Sequence, residues 1–123
     1  MKCLVVDDSA TMRRIVVNAL KTIGWNDLVE AGDGKEALEK CDGSIELVIT
    51  DWNMPVMGGL DMVRALRTNP ATAKLPILMV TTRSVKEDIL QAVEAGVNGY
   101  VLKPFTPQVL KEKIDQVVSM MSA

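Results

Sequence analysis

Five short runs of apolar and β-branched residues recur along the chain: "CLVVDD", "LVEA", "ELVITD", "PILMVTT" and "GYVLK". Segments of helical periodicity lie between them. The clearest covers residues 9–23, where Met12, Ile15, Val16, Ala19, Leu20 and Ile23 fall at spacings of three and four. Ser9 is placed to cap that helix and Gly24 to end it. The last segment opens "TPQVLKEK", with Thr106 as cap and Pro107 at the first helical position. Its apolar stripe is Leu110, Ile114, Val117, Val118 and Met121. The pattern predicts five strand–helix units. Strands apolar on both faces imply a parallel sheet covered by helices on each side. Right-handed crossovers make that sheet doubly wound. No linker or repeat interrupts it, and "TNPATAKLP" over residues 68–76 is the longest loop, joining helix three to strand four.

In an open α/β sheet, ligands bind beyond the carboxyl ends of the strands. Run one ends in Asp7-Asp8, run three in Asp51, run four in Thr81-Thr82 and run five in Lys103-Pro104, while run two ends in Ala31-Gly32 and offers nothing. Taken singly, a strand-end aspartate is a solvated terminus, a closing threonine is β-branched filler and a lysine before proline is a surface residue. Their convergence on one rim, beside an acid pair, reverses that judgement. Three gathered carboxylates repel one another, and a hard divalent cation resolves the repulsion. Mg²⁺ takes few carboxylates, a carbonyl and several waters, and the Asn53 backbone carbonyl, two residues past Asp51, is a candidate ligand. An aspartate at such a site can form an aspartyl-phosphate. Lys103 offers a point charge to a phosphoryl oxygen, and the Thr81 hydroxyl can donate to another.

Composition narrows the classes. The chain has 123 residues, 48% hydrophobic and 24% charged, with a net charge of −2. That length suits one domain over residues 1–123. The charge leaves no basic footprint for nucleic acid and no polybasic membrane patch. "MKCLVVDD" meets two acids at once and does not read as a signal peptide. No apolar run approaches the ~20 residues that span a bilayer, so the expected location is the cytoplasm, without membrane insertion. Cys3 and Cys41 read as reduced small hydrophobes. Histidine is absent, which excludes imidazole catalysis and disfavours a zinc site.

"LVVDDSATMRRIV", "DWNMP", "MVTT" and "GYVLKPFT" resemble a response-regulator receiver domain, over the whole chain and in the family's order and spacing. The nearest resemblance is to the family's single-domain chemotaxis branch. It implies a flavodoxin-like (βα)5 fold, α/β class, with strand order 2-1-3-4-5. It implies that Asp51 accepts a phosphoryl group from a histidine kinase. Asp8, Asp51 and the Asn53 carbonyl would hold Mg²⁺, with Asp7 acting partly through water. Thr81 and Lys103 would contact the phosphoryl group, and Tyr100 matches the aromatic that turns inward on activation. The Lys103–Pro104 peptide would be cis, at a cost of about 0.5–1 kcal/mol over trans.

Helix four poses its own question. In "VKEDILQAVEAG", Ile89 and Leu90 point about 100° apart, so both cannot face the centre of the core. If Leu90 packs inward, Ile89 and Val93 form an outer ridge next to Lys86. The periodicity alone leaves this even with a wide apolar stripe. The resemblance favours a partner surface of Lys86, Ile89, Val93, Tyr100, Lys111 and Lys113, where the flagellar motor switch protein would bind. A phosphatase is a further implied partner, and the switch would be a monomer that acts only on its own phosphoryl group. Gly58 stands where the family has Asp or Asn, so helix three should start more flexibly, without loss of chemistry. Arg83 and Asn53 occupy positions that vary among relatives and could together gate water. Trp52 should pack at the pocket edge.

Two other classes remain for comparison. A haloacid-dehalogenase-like phosphatase also uses a strand-end aspartate and Mg²⁺, but needs a second acid where Asn53 stands and a nucleophile on strand one. A flavodoxin-like FMN protein needs a phosphate-binding loop where Asp7-Asp8 would repel the ligand. Phosphate-monoester turnover would favour the first, and a bound yellow cofactor the second.

Overall fold

The computed structural model describes residues 2–122, with side chains through 119. Its elements alternate strictly: β1 (Lys2–Val6), α1 (Ala10–Thr22), β2 (Asp27–Ala31), α2 (Gly34–Lys40), β3 (Leu47–Thr50), α3 (Gly59–Thr68), β4 (Ile77–Thr81), α4 (Lys86–Ala95), β5 (Gly99–Leu102) and α5 (Pro107–Ser122). The five strands form one parallel sheet in the order β2-β1-β3-β4-β5. This is the expected flavodoxin-like α/β fold.

The period of two along each strand divides the core into two layers. Cys3, Val5, Leu47, Ile49, Leu78 and Val80 face α1 and α5. Leu4, Val6, Val48, Ile77 and Met79 face the layer of α2, α3 and α4. β1, β3 and β4 are buried on both faces, which explains their unbroken apolar runs.

Local chemistry sets the ends of the helices. Ser9 caps α1 by accepting from the Met12 amide, and Gly24, at φ 104°, follows its last turn. Thr106 Oγ1 accepts from the Val109 amide at the start of α5. Loop 68–76 joins α3 to β4 as expected. Met121, assigned to the α5 stripe from sequence, lies outside the described side chains.

Two packing expectations need correction. Ile15, part of the apolar periodicity of α1, is 46% exposed. It sits instead by Met12, Pro104 and Phe105, where α1 meets the β5–α5 loop. On α4, Leu90 does not pack inward: it is 52% exposed and Val93 57%, while Ile89 is half-buried. The residues α4 buries are Ala92 and Ala95. These small side chains join the layer that α3 fills, and half-buried Ile89, three residues before Ala92, falls on the same helix face by spacing. The outer ridge is therefore Lys86, Leu90 and Val93, at spacings of four and three.

Candidate functional site

β1, β3 and β5 each hand polar residues to the carboxyl edge while a neighbouring strand still holds the backbone. The Asp7 amide donates to the Ala31 carbonyl at 3.1 Å and the Asp51 amide to the Val6 carbonyl at 3.0 Å. The Lys103 amide donates to the Thr81 carbonyl at 2.9 Å. The acids start one residue past the strands, so these side chains leave a rigid edge and not a loose loop.

Asp7, Asp8 and Asp51 converge, with one carboxylate oxygen from each lying within 4.8 Å of the others. Lys103 Nζ bridges two of them, donating to Asp7 Oδ2 at 3.0 Å and Asp51 Oδ2 at 3.1 Å. The Lys103 side chain is only 9% exposed. Asp7 Oδ1 accepts from the Ser9 amide at 2.9 Å, and Asp51 Oδ1 from the Trp52 amide at 2.7 Å. Asp8 is exposed at the mouth. Three carboxylates against one ammonium leave a local charge of −2. The neighbouring arginines do not change that balance, because each has its own acid: Arg13 pairs with Glu30 and Arg83 with Asp88. All-oxygen donors with this residual charge fit Mg²⁺.

Glycine makes room for the loop beyond Asp51. A Cβ on Gly59 would collide with the Asp51 carbonyl oxygen. Hydrogen bonds from the Gly59 amide to the Trp52 carbonyl (2.8 Å) and from the Gly34 amide to the Met57 carbonyl (3.0 Å) close the loop. Val56, at its tip, has φ 66° and is 80% exposed, a strained conformation for a β-branched residue. Gly58 is the N-cap of α3 and provides no side-chain hydrogen bond. Trp52 and Asn53 line an open cleft beside Asp8.

The structure places Thr81 at the end of β4, buried, with its hydroxyl oxygen accepting from the Arg83 amide at 3.3 Å. Tyr100 is half-buried and its hydroxyl donates to the Arg83 carbonyl at 2.8 Å. Burial raises its pKa; the charges of Asp88 and Asp51 push the same way, while Arg83 pulls it down. The Lys103–Pro104 peptide is cis.

The expected partner residues divide between the two sides of edge strand β5. Lys86, Ile89 and Val93 lie on α4. Lys111 is exposed on α5 and pairs with Asp115 at 2.7 Å, and Lys113 is half-buried there. Leu90, Leu102 and Val109 are also exposed on these elements, and periodicity alone did not mark them.

Sequence reasoning paired Arg83 with Asn53 but missed its other contacts. The guanidinium donates to Asn53 Oδ1 at 2.9 Å and to Asp88 Oδ2 at 3.2 Å, and lies 4.5 Å from the Trp52 ring centroid. It also missed Arg13, whose Nη1 donates to the Asp7 carbonyl at 2.6 Å. Arg67 was missed as well: it gathers the carbonyls of Gly96, Ala73 and Leu75 and the Asn98 side chain. The Arg83 and Asp88 positions, flanking the start of a helix, were the one available signal for that pair.

Residues 3–115 match the response regulator receiver domain model. The chain is 52% identical over 120 residues to chemotaxis protein CheY1 of Helicobacter pylori, covering 96% of this chain and 97% of that one. It is 50% identical over 118 residues to chemotaxis protein CheY of Pseudomonas aeruginosa, covering 95% of each. Among solved structures, the chemotaxis response regulator CheY4 of Vibrio cholerae superposes with a TM-score of 0.87 at 37% identity, over 94% of this chain and 97% of that one. A response regulator receiver domain from Clostridium thermocellum gives 0.85 at 29% identity, over 98% and 96%.

Proposed function

This chain belongs to the response regulator receiver domain family, as a CheY-like chemotaxis regulator, and on that footing we propose that Asp51 accepts a phosphoryl group from a histidine kinase. The observation that carries the reading is the pair of bonds from Lys103 Nζ to Asp7 and Asp51 within the three-acid cluster. A cationic donor already rests on the oxygen that would carry the phosphorus.

In the transfer, an Asp51 carboxylate oxygen attacks phosphorus, the bond from phosphorus to the kinase imidazole nitrogen breaks, and that nitrogen keeps the electron pair. Asp7, Asp8, Asp51 and the Asn53 carbonyl would hold Mg²⁺. When bound, Mg²⁺ supplies charge neutralisation at the phosphoryl oxygens. Lys103 is close enough to move from the carboxylate to a phosphoryl oxygen. The Thr81 hydroxyl stands ready to donate to another, giving up the Arg83 amide. Water later hydrolyses the acyl phosphate, so the protein is a signalling switch and catalyses only its own phosphorylation and dephosphorylation.

The same reading makes residues 1–123 one receiver domain, working as a monomer in the cytoplasm. Among the described residues, no helix is long and apolar enough to cross a membrane. Its output partner is a flagellar motor switch protein, and a phosphatase resets it. The output surface is Lys86, Ile89, Val93, Tyr100, Lys111 and Lys113, to which the exposed Leu90 is added. Phosphorylation biases this surface only through unequal interaction with its two conformations, a coupling of about 1–3 kcal/mol in systems of this kind.

The test pairs two measurements. With acetyl phosphate and Mg²⁺, the protein takes up one hydroxylamine-labile phosphoryl group and shows no sustained turnover of phosphate monoesters. With beryllofluoride, it retains a flagellar motor switch protein on a column better than without. Steady monoester hydrolysis, or retention indifferent to beryllofluoride, overturns the reading.

A further inference from the structure

The Arg83 side chain joins the loop after Asp51 to the first turn of α4. One terminal nitrogen holds Asn53 and the other holds Asp88, across the Trp52 ring. Its Nε is buried with no hydrogen-bond partner among the described residues. A guanidinium offers five N–H donors, and a buried donor without an acceptor is costly. The pull of Asp88 and Asn53 sets this pose, at the expense of Nε.

The two ends of α4 are held differently. At the carboxyl end, Arg67 Nε and Nη2 donate to the Gly96 carbonyl at 3.0 and 2.7 Å. At the amino end, Val85 provides no side-chain cap. There Asp88, on the first turn, is tied to Arg83. The carbonyl of Arg83 also receives the Tyr100 hydroxyl. One residue thus touches the rim of the acid cluster, α4 and β5.

We infer that Arg83 is a latch on α4: Asp88 holds its guanidinium in the resting protein, and a phosphoryl group on Asp51 draws it away and frees the first turn of the helix. The inference rests on the proposed role of Asp51. A phosphoryl group carries more charge than a carboxylate and three acceptor oxygens, so it outcompetes Asp88 and offers Nε a partner. With Gly96 still gripped by Arg67, the freed helix swings at its amino end. That motion moves the Lys86–Leu90–Val93 ridge relative to β5.

By linkage, whatever loosens the resting contact must tighten binding of the phosphoryl mimic. The test is apparent beryllium affinity in excess fluoride and Mg²⁺, read by fluorine NMR. Asp88→Asn should bind about fivefold more tightly than the unmodified protein, the scale of one partly exposed ion pair. Glu87→Gln removes the same charge one residue away and should change nothing. In an Arg83→Ala background the Asp88→Asn gain should vanish. Amide exchange over residues 86–90 should be fast in Asp88→Asn without ligand, and in the unmodified protein only with it. Unchanged or weaker affinity in Asp88→Asn overturns the latch, as does a gain that persists without Arg83. If the unmodified protein binds no beryllofluoride, the Asp51 reading itself fails and the latch with it.

Discussion

Lys103 and Asp51, 52 positions apart in the chain, meet at 3.1 Å, and the same ammonium reaches Asp7 at 3.0 Å. Replacing Lys103 with Met should therefore expose the repulsion of three uncompensated carboxylates. The expected loss is about 1–3 kcal/mol in urea unfolding without divalent cations. Mg²⁺ at a hundred times its dissociation constant should stabilise the variant by about 2.7 kcal/mol. A variant as stable as the parent and indifferent to Mg²⁺ would contradict the charge balance drawn for this site.

Adjacent glycines should behave in opposite ways. Gly59→Ala places a methyl group against the Asp51 carbonyl oxygen, and both atoms sit on backbone that cannot easily yield. It should cost about 3 kcal/mol and slow labelling by acetyl phosphate. Gly58→Asp adds the missing cap to α3, where a Cβ meets the Trp52 carbonyl oxygen at 3.4 Å. It should gain a few tenths of a kcal/mol and leave labelling intact. Thermal melts of the two variants decide the point.

Tyr100 is the only tyrosine in the chain, so absorbance titration reports it alone. Burial raises its pKa above the ordinary value of 10.0, and folding therefore favours the protonated phenol. The associated stability is intact below pH 10 and drains away as pH climbs through the folded-state value. The folded midpoint should lie above that of the urea-unfolded chain, and Tyr100→Phe should remove this part of the alkaline loss. A folded midpoint at or below the unfolded one would be inconsistent with the buried hydroxyl.

The α4 ridge separates packing from recognition. Leu90→Ser and Val93→Ser should alter stability by no more than about 0.5 kcal/mol, since both side chains face solvent. Ile89→Ala should cost about 1–2 kcal/mol, below the range for a fully buried site. Affinity for a flagellar motor switch protein should fall about tenfold in the two serine variants, the loss expected for an apolar anchor. Full affinity in both would remove this ridge from the partner surface.

Much of this architecture could be read from the sequence because short-range rules set it. Alternating runs marked the strands, and Ser9, Gly24 and Thr106 acted as caps and stops through neighbours within a turn. The acid cluster was legible because a parallel sheet brings the ends of its strands to one edge. The facing of α4 was not, because large apolar residues at 85, 89, 90 and 93 cover too wide an arc to choose a side. Ala92 and Ala95, which α4 buries, carry little hydrophobic signal. Arg83, Arg13 and Arg67 were illegible for another reason. A long guanidinium side chain reaches across elements, and its acceptors are backbone carbonyls, asparagine side chains or one acid among sixteen Asp and Glu residues.

The central claim is that Asp51 carries the phosphoryl group. Radiolabelled donor and Mg²⁺, given to the parent and to Asp51→Asn under identical conditions, test it most directly. The account predicts up to one acid-stable, alkali-labile label per parent molecule and none above background on Asp51→Asn. Equal labelling of the two proteins would contradict it.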